Sequence, residues 1–396
     1  MSDTSIRDRA AIVGIGQTEY SRNSGRSEAT LCLEAIRKAL GDAGIAAAEV
    51  DGLVKFGASQ TNCSEAWIAH NLGSEVLRYW CSIDPGGGAS AALLAHASMA
   101  VSSGQADIVV CYRSLNGYSG RKPGTSETMG LFAGQDPQAE SFLHPNGLTA
   151  PVQFFALMAQ RHMFEYGTTV QQLAKISTAF REFANRNPQA QMYKVPLTLE
   201  DCTNADVISD PLRKFDCCLQ TDGAAAFVVT SPERAKDLAQ RPVFVKSAGQ
   251  ALGPGQHGAL FSAILKEKIT EWPSRRLAKD LYRQAGLGPG DVDVAQLYDC
   301  FTITALIQLE DYGFCGPGEG GPFVDSGALA LGGSLPCNTA GGNLSEGYLH
   351  GVNHILEATR QLRGTSTSQV ENAEVALVTG GTPTPTSAAI LGNQRG

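Results

Sequence analysis

Arg37-Lys-Ala-Leu-Gly-Asp-Ala-Gly-Ile45, followed by Glu49-Val-Asp-Gly-Leu-Val54, recurs later in the chain as Leu281-Tyr-Arg-Gln-Ala-Gly-Leu287 and Asp291-Val-Asp-Val-Ala-Gln-Leu297. Gly44 aligns with Gly286 and Asp51 with Asp293, each 242 positions on. Both copies read as a helix stopped by glycine, a polar turn and a short strand. Upstream of each, a strand is predicted to end in Gly-Gln: Ala11-Ile-Val-Gly-Ile-Gly-Gln17 and Val243-Phe-Val-Lys-Ser-Ala-Gly-Gln250. Downstream, helices are predicted over 88–104 and 347–364, leading to the apolar strands Ala106-Asp-Ile-Val-Val110 and Ala373-Glu-Val-Ala-Leu-Val378. Four elements in one order indicate an internal duplication. Continuous apolar strands alternating with helices predict an α/β fold with a mostly parallel sheet covered on both faces.

Between the copies, roughly 114–211, the chain is first polar and rich in Gly and Pro, then helical at Phe154–Tyr166 and Val170–Asn187. A connection of this length in a compact protein is usually functional or a small subdomain, here expected to cover a site.

The 396 residues are 43% hydrophobic and 18% charged, which suits a folded core and excludes a disordered chain. With 31 basic against 39 acidic residues the net charge is −8, so nucleic-acid binding is not expected. No run approaches the roughly 20 apolar residues of a membrane span, and the first residues lack a signal-peptide pattern. The ten cysteines show neither C-x-x-C pairs nor zinc-ligand spacing, and are expected to be reduced thiols of a cytoplasmic protein.

Single motifs are ambiguous. Gly14-Ile-Gly16 follows a strand, but Glu19 stands where a dinucleotide fingerprint needs glycine. No Walker sequence and no G-x-S-x-G elbow occurs. Gly86-Gly87-Gly88 before a helix is either a cradle for a carbonyl oxygen or phosphate, or a tight turn where helix and strand approach closely. Adjacent Cys217 and Cys218 are expected to be packed rather than reactive. Tyr298, at the end of the second-copy strand, and Tyr348, near the start of the following helix, lie where parallel α/β folds place ligands. Each is either an acid/base group or an aromatic cap. His350 and His354 lie nearby.

Assembled, the sequence resembles the thiolase superfamily, most closely the sterol-carrier-protein-X type and its lipid-transfer-protein relatives. The supporting stretches are Arg161-His-Met-Phe-Glu-Tyr-Gly-Thr-Thr169, Ala184-Asn-Arg-Asn-Pro-Gln-Ala190, Asp210-Pro-Leu212, Asp222-Gly-Ala-Ala-Ala226, Asn338-Thr-Ala-Gly-Gly342 and Gln361-Leu-Arg-Gly364. The resemblance implies two duplicated βαβαβ halves in a five-layer α-β-α-β-α arrangement. The halves are expected at 1–240, including the loop subdomain at about 114–211, and at 241–396.

The family's chemical positions are changed. Counting back from Gly104-Gln-Ala-Asp107, the acylated Cys falls on Gly87; the two motif histidines become Tyr298 and Tyr348, and the second reactive Cys falls near Thr379. Acyl transfer through an enzyme thioester is therefore excluded. The pattern is similar to the aldolases that remove steroid side chains. That likeness implies retro-aldol cleavage of a β-hydroxyacyl-CoA to a steroid ketone or aldehyde and a short acyl-CoA such as propionyl-CoA. A non-catalytic subunit that holds acyl-CoA or lipid is the alternative.

By inherited geometry, Tyr348 is expected to take the β-hydroxyl proton, its phenol made more acidic by the adjacent helix start. Tyr298 is expected to donate to the enolate oxygen, with the two roles exchangeable. His350 is a secondary candidate expected to point elsewhere along the helix. Gly87 and Gly88 are expected to bind substrate, Gly87 leaving room for a bulky carbinol. No cofactor is implied, since CoA belongs to the substrate. The expected assembly is a homodimer bound to a small OB-fold/zinc-ribbon protein that carries any zinc, with a link to an enoyl-CoA hydratase. Arg121-Lys122 in the covering loop is the compact cation pair singled out as a candidate for the CoA phosphates, and with so few clustered cations the partner is expected to help hold them.

Overall fold

The computed structural model describes residues 6–57, 63–84, 86–120, 141–253, 268–381, 383 and 385–396. Arg121 and Lys122 lie outside them. The chain begins β1 (Ala11–Gln17), α1 (Glu28–Ala43), β2 (Gly52–Phe56), α2 (Glu65–Leu72), β3 (Tyr79–Ile83), α3 (Ser90–Ser102) and β4 (Ile108–Asn116). The intervening segment supplies α4 (Pro151–Tyr166), α5 (Val170–Arg186) and a small hairpin of β5 (Val207–Ser209) and β6 (Leu212–Arg213). Then follow β7 (Asp222–Thr230), β8 (Val243–Ala251), α6 (Ser274–Ala285), β9 (Val294–Gln296), α7 (Thr302–Asp311), α8 (Val352–Arg363), β10 (Val375–Gly381) and β11 (Thr386–Gly392).

The duplication is visible in the sheet. Its order is β3-β2-β4-β7-β1-β8-β11-β10-β9, and it mirrors about the β1/β8 seam. On both sides the seam strand pairs antiparallel with its neighbour (β1 with β7, β8 with β11), which pairs antiparallel with β4 or β10. Beyond these lie the parallel partners β2 and β9. Even the outermost pairing, β2 with β3, has its equivalent in the parallel bridge Ala295–Cys337. The seam is narrow, with Ala11 opposite Phe244 and Ile12 opposite Val243. The sheet is therefore mixed rather than mostly parallel. The antiparallel β7 and β11 return beside strands distant or adjacent in sequence, and no local apolar pattern encodes that direction.

Side-chain alternation sorts the strands into layers. On β4, Ile108, Val110 and Tyr112 join the core around α1, whereas Val109, Cys111 and Leu115 join the core around α3 and α8. On β10, Leu377 faces the outer C-terminal core and Ala376 and Val378 face the central one. Both central helices touch strands of both halves, while α1 covers the first half and α6 the second. This is the five-layer arrangement implied by the resemblance.

Glycine stops end the matched helices: Gly44, Gly286 and Gly364 are all left-handed and cap α1, α6 and α8. The intervening segment lies over the second half. Gln191 and Met192 donate main-chain hydrogen bonds to the carbonyls of Glu346 and Ser345, and Arg181 donates to the Ser345 hydroxyl at 2.9 Å.

Candidate active site

Gly87 lies in the short turn Gly86–Ala89 that leads into α3. A methyl group there would fall inside the phenol ring of Tyr298. Tyr298 follows β9 and is held at both ends of its peptide: its N–H donates to Thr379 Oγ1 at 2.9 Å, and its carbonyl accepts from Gln308 Nε2 at 2.7 Å. The Thr379 hydroxyl itself donates to Gln308 Oε1. Thr379, expected where a thiolase has its second cysteine, thus serves as a clamp on Tyr298. The space at Gly87 is taken by the Tyr298 ring. This corrects the expectation that the missing side chain makes room for a carbinol.

Tyr348 approaches from the other side, and its hydroxyl lies 3.1 Å from that of Tyr298. Tyr298 is 1% exposed and Tyr348 9%, so Tyr348 is the more open of the pair. Its N–H donates to Thr221 Oγ1 at 2.9 Å. The segment holding it is not helical. His350 and Gly351 are left-handed at φ 56° and 83°, and α8 starts only at Val352. His350 therefore does not point away as a helical neighbour would. Its ring lies on that of Tyr348 with centroids 4.4 Å apart, and on Phe56 at 5.2 Å. The structure thus brings Gly87, Tyr298, Tyr348 and His350 together. Gly88 faces the main chain of Pro385, where a Cβ would have no room, so close approach of backbones explains that glycine.

The electrostatics also differ from expectation. Burial pushes Tyr348 well above the ordinary phenol range, reinforced by Cys218 and Cys300, whereas the Tyr298 hydrogen bond and Arg113 act in the opposite sense. No helix start makes it acidic in the free protein. Tyr298 is raised too, by burial first and then by Tyr348. Of the two, Tyr348 is the one whose ionised form the shared hydrogen bond favours. Burial, with a smaller contribution from Arg113, holds His350 well below its usual value and hence neutral. Burial pushes the Cys217 thiol up to about 12 and raises Cys218 and Cys300 as well, which keeps all three as thiols rather than nucleophilic thiolates.

A cavity of about 600 Å³ lies against the covering segment, and it reaches toward this centre through Cys218, which is within electrostatic reach of Tyr348. Cys217, Cys218 and Leu344 form part of its lining, together with Arg22, Arg181 and Lys214. Arg22, Arg181 and the Arg213-Lys214 pair are far apart in sequence, so the chain does not display the cations of this cavity as one cluster. A second unanticipated residue is Arg113, fully buried in a strand that is apolar from Ile108 to Cys111. Its signal was in the sequence: a guanidinium in the middle of Ile108-Val-Val-Cys-Tyr-Arg-Ser-Leu115.

The architecture defines a thiolase-type protein, and its candidate site sets a pair of phenols beside Gly87. Residues 261–393 match the family described as thiolase C-terminal domain-like. The chain is 46% identical over 390 residues to the 17-hydroxy-3-oxo-4-pregnene-20-carboxyl-CoA lyase of Mycobacterium tuberculosis, covering 98% of this chain and 100% of that protein. It is 44% identical over 388 residues to the steroid side-chain-cleaving aldolase of Thermomonospora curvata, with 98% of each covered. Among solved structures, the Ltp2-ChsH2(DUF35) aldolase superposes with a TM-score of 0.92 at 42% identity, covering 98% of this chain and 99% of that one. The chain belongs to the steroid side-chain-cleaving aldolases of the thiolase superfamily.

Proposed function

We propose that the protein is a carbon–carbon lyase that cleaves a β-hydroxyacyl-CoA steroid side chain by a retro-aldol reaction, releasing a steroid ketone or aldehyde and a short acyl-CoA such as propionyl-CoA. The observation that carries the reading is the 3.1 Å hydroxyl pair of Tyr298 and Tyr348 at the place of the absent nucleophile. A retro-aldol needs no covalent attack. The Tyr348 phenolate takes the β-hydroxyl proton, the C–O bond becomes a carbonyl, and the electrons of the Cα–Cβ bond pass into the thioester enolate. Tyr298 donates a hydrogen bond to the developing enolate oxygen, and Cα then takes back the proton from the tyrosine pair, which restores the Tyr348 phenolate. Atoms and charge balance without an oxidant, and CoA enters only as part of the substrate.

The CoA phosphates are assigned to the cavity bearing Lys214, Arg22 and Arg181, with the thioester directed past Cys218 toward the tyrosines. The assembly proposed is a homodimer bound to a DUF35 partner with an OB-fold and zinc ribbon, linked in turn to an enoyl-CoA hydratase. The solved relative is an aldolase together with such a DUF35 chain. In support of the homodimer, β3 is an outermost strand of the sheet among the described residues and presents Trp80, which is 65% exposed. Among the described residues no helix is long and apolar enough to cross a membrane. The ten cysteines suit the reducing cytoplasm.

Purified protein with its partner, incubated with a 17-hydroxy-steroid β-hydroxyacyl-CoA, is expected to release free acyl-CoA and a ketosteroid in equal amounts. Tight binding without product would replace this reading with that of a non-catalytic acyl-CoA-binding subunit.

A further inference from the structure

We propose that Arg113 is a positioning residue for the reaction: its buried guanidinium supplies the positive charge that lets the Tyr348–Tyr298 pair carry a phenolate. The inference rests on the retro-aldol reading and goes beyond it, since neither the motif nor the spacing draws attention to this strand residue.

Arg113 lies on β4 with the parity of Val109, Cys111 and Leu115, so it faces the central layer rather than α1. It is fully buried. Placing a guanidinium where the neighbouring positions carry apolar groups opposes folding unless charge or hydrogen bonding offsets the lost hydration. The guanidinium sits 4.6 Å from the centroid of Phe56. Phe56 in turn stacks on His350, and His350 on Tyr348. One continuous column thus leads from the cation to the phenol. His350 is neutral, so the column passes no competing positive charge.

The charged and titratable groups around this column can be named. Tyr348 faces Tyr298, Cys218, Cys300, His350 and Arg113. Arg113 is within electrostatic reach of Glu28, Asp84, Tyr348 and Tyr298. Burial lowers Arg113 only to about 10, so it keeps its charge across the working pH range. Among the described residues within electrostatic reach of Tyr348, Arg113 is the cation, because the thiols and Tyr298 are neutral or anionic when they titrate.

The test is the pH dependence of turnover in the partner complex, measured for the wild type, Arg113→Met and Arg113→Lys. Loss of the charge is expected to move the acid limb of kcat upward, by about one pH unit for unit charges roughly 10 Å apart at an effective dielectric near 20, equivalent to about 10-fold lower turnover at a pH below the limb. Lysine keeps a charge but withdraws it from the Phe56 ring, so its limb is expected between the other two. A limb that coincides with the wild type in a variant with wild-type circular dichroism, whatever the uniform loss of rate, overturns the proposal and leaves Arg113 a structural ion. If the Met variant does not fold, Arg113→Gln, which is likewise neutral, decides by the same criterion. Failure of the retro-aldol reading looks different, since the wild type itself then releases no acyl-CoA.

Discussion

Gly87 and Tyr298 exclude one another's alternatives: any side chain at position 87 would occupy the ring of Tyr298. A side chain at position 87 and the phenol at position 298 are therefore alternatives for one space. Gly87→Ala is expected to destabilise the protein by about 1–3 kcal/mol through overpacking. Tyr298→Leu in the same chain is expected to recover much of that loss. Chemical denaturation of the two single variants and the double variant gives the coupling. Gly87→Cys is likewise expected to show no thiolysis of a 3-ketoacyl-CoA.

Tyr348→Phe removes the proposed base and is expected to lower kcat by about 10²–10⁴ with the fold and partner binding intact. Tyr298→Phe is expected to fall in the same range. His350→Ala removes a ring stacked at 4.4 Å on Tyr348, so a smaller loss, about 10-fold, is expected. Near-normal turnover by Tyr348→Phe would end its assignment as the base.

The sign of the pH dependence follows from burial. Tyr348 acts as a base only when ionised, and its pKa is raised. Turnover should therefore climb through the neutral range, by about tenfold per pH unit where the limb is fully developed. A rate profile that is already flat at pH 6 contradicts a tyrosine base.

Glu346, two residues before Tyr348, is fully buried, and its carboxyl is pushed up to about 8 by desolvation. A folded-state value above the unfolded one means that the folded protein binds this proton more tightly. The resulting contribution to stability is fully present below about pH 4.5 and is lost as pH rises through about 8. Glu346→Gln, which keeps an acceptor for Asn353, removes that dependence. Relative to the wild type, the variant should gain about 2–3 kcal/mol on going from pH 6 to pH 9 in urea unfolding.

Lys214 is exposed at the mouth of the cavity assigned to CoA. Lys214→Ala is expected to raise KM for the CoA thioester several-fold to about 10-fold with kcat unchanged, an effect that shrinks in high salt. A change confined to kcat would place the nucleotide elsewhere.

Much of the architecture was legible because it is written locally. Glycine stops and apolar strands recur in the same order in both halves, and the paired elements fall on mirrored positions of the sheet. Strand direction was not legible, because the pairing of β7 with β4 spans the whole covering segment. Both tyrosines could be singled out by position and by the family pattern, but their environment could not. The Gly87–Tyr298 contact joins residues more than two hundred positions apart. The acidity expected for Tyr348 assumed a helix start at Gly347, whereas two left-handed residues, His350 and Gly351, delay it and turn the histidine back onto the phenol. Burial, which decides the ionisation of every group here, is set by the packed layers and not by neighbours along the chain.

The mirror in the sheet is broken at the reaction centre. Gly87 belongs to the first repeat, while Tyr298 and Tyr348 belong to the second. Two identical repeats would present matching residues at both positions, so every gain of a bulky phenol would be repeated where space is needed. Joining the repeats in one polypeptide frees them from that obligation, and one copy can hollow out while the other fills the hollow. The catalytic centre is thus a product of divergence between siblings, and neither repeat by itself contains it.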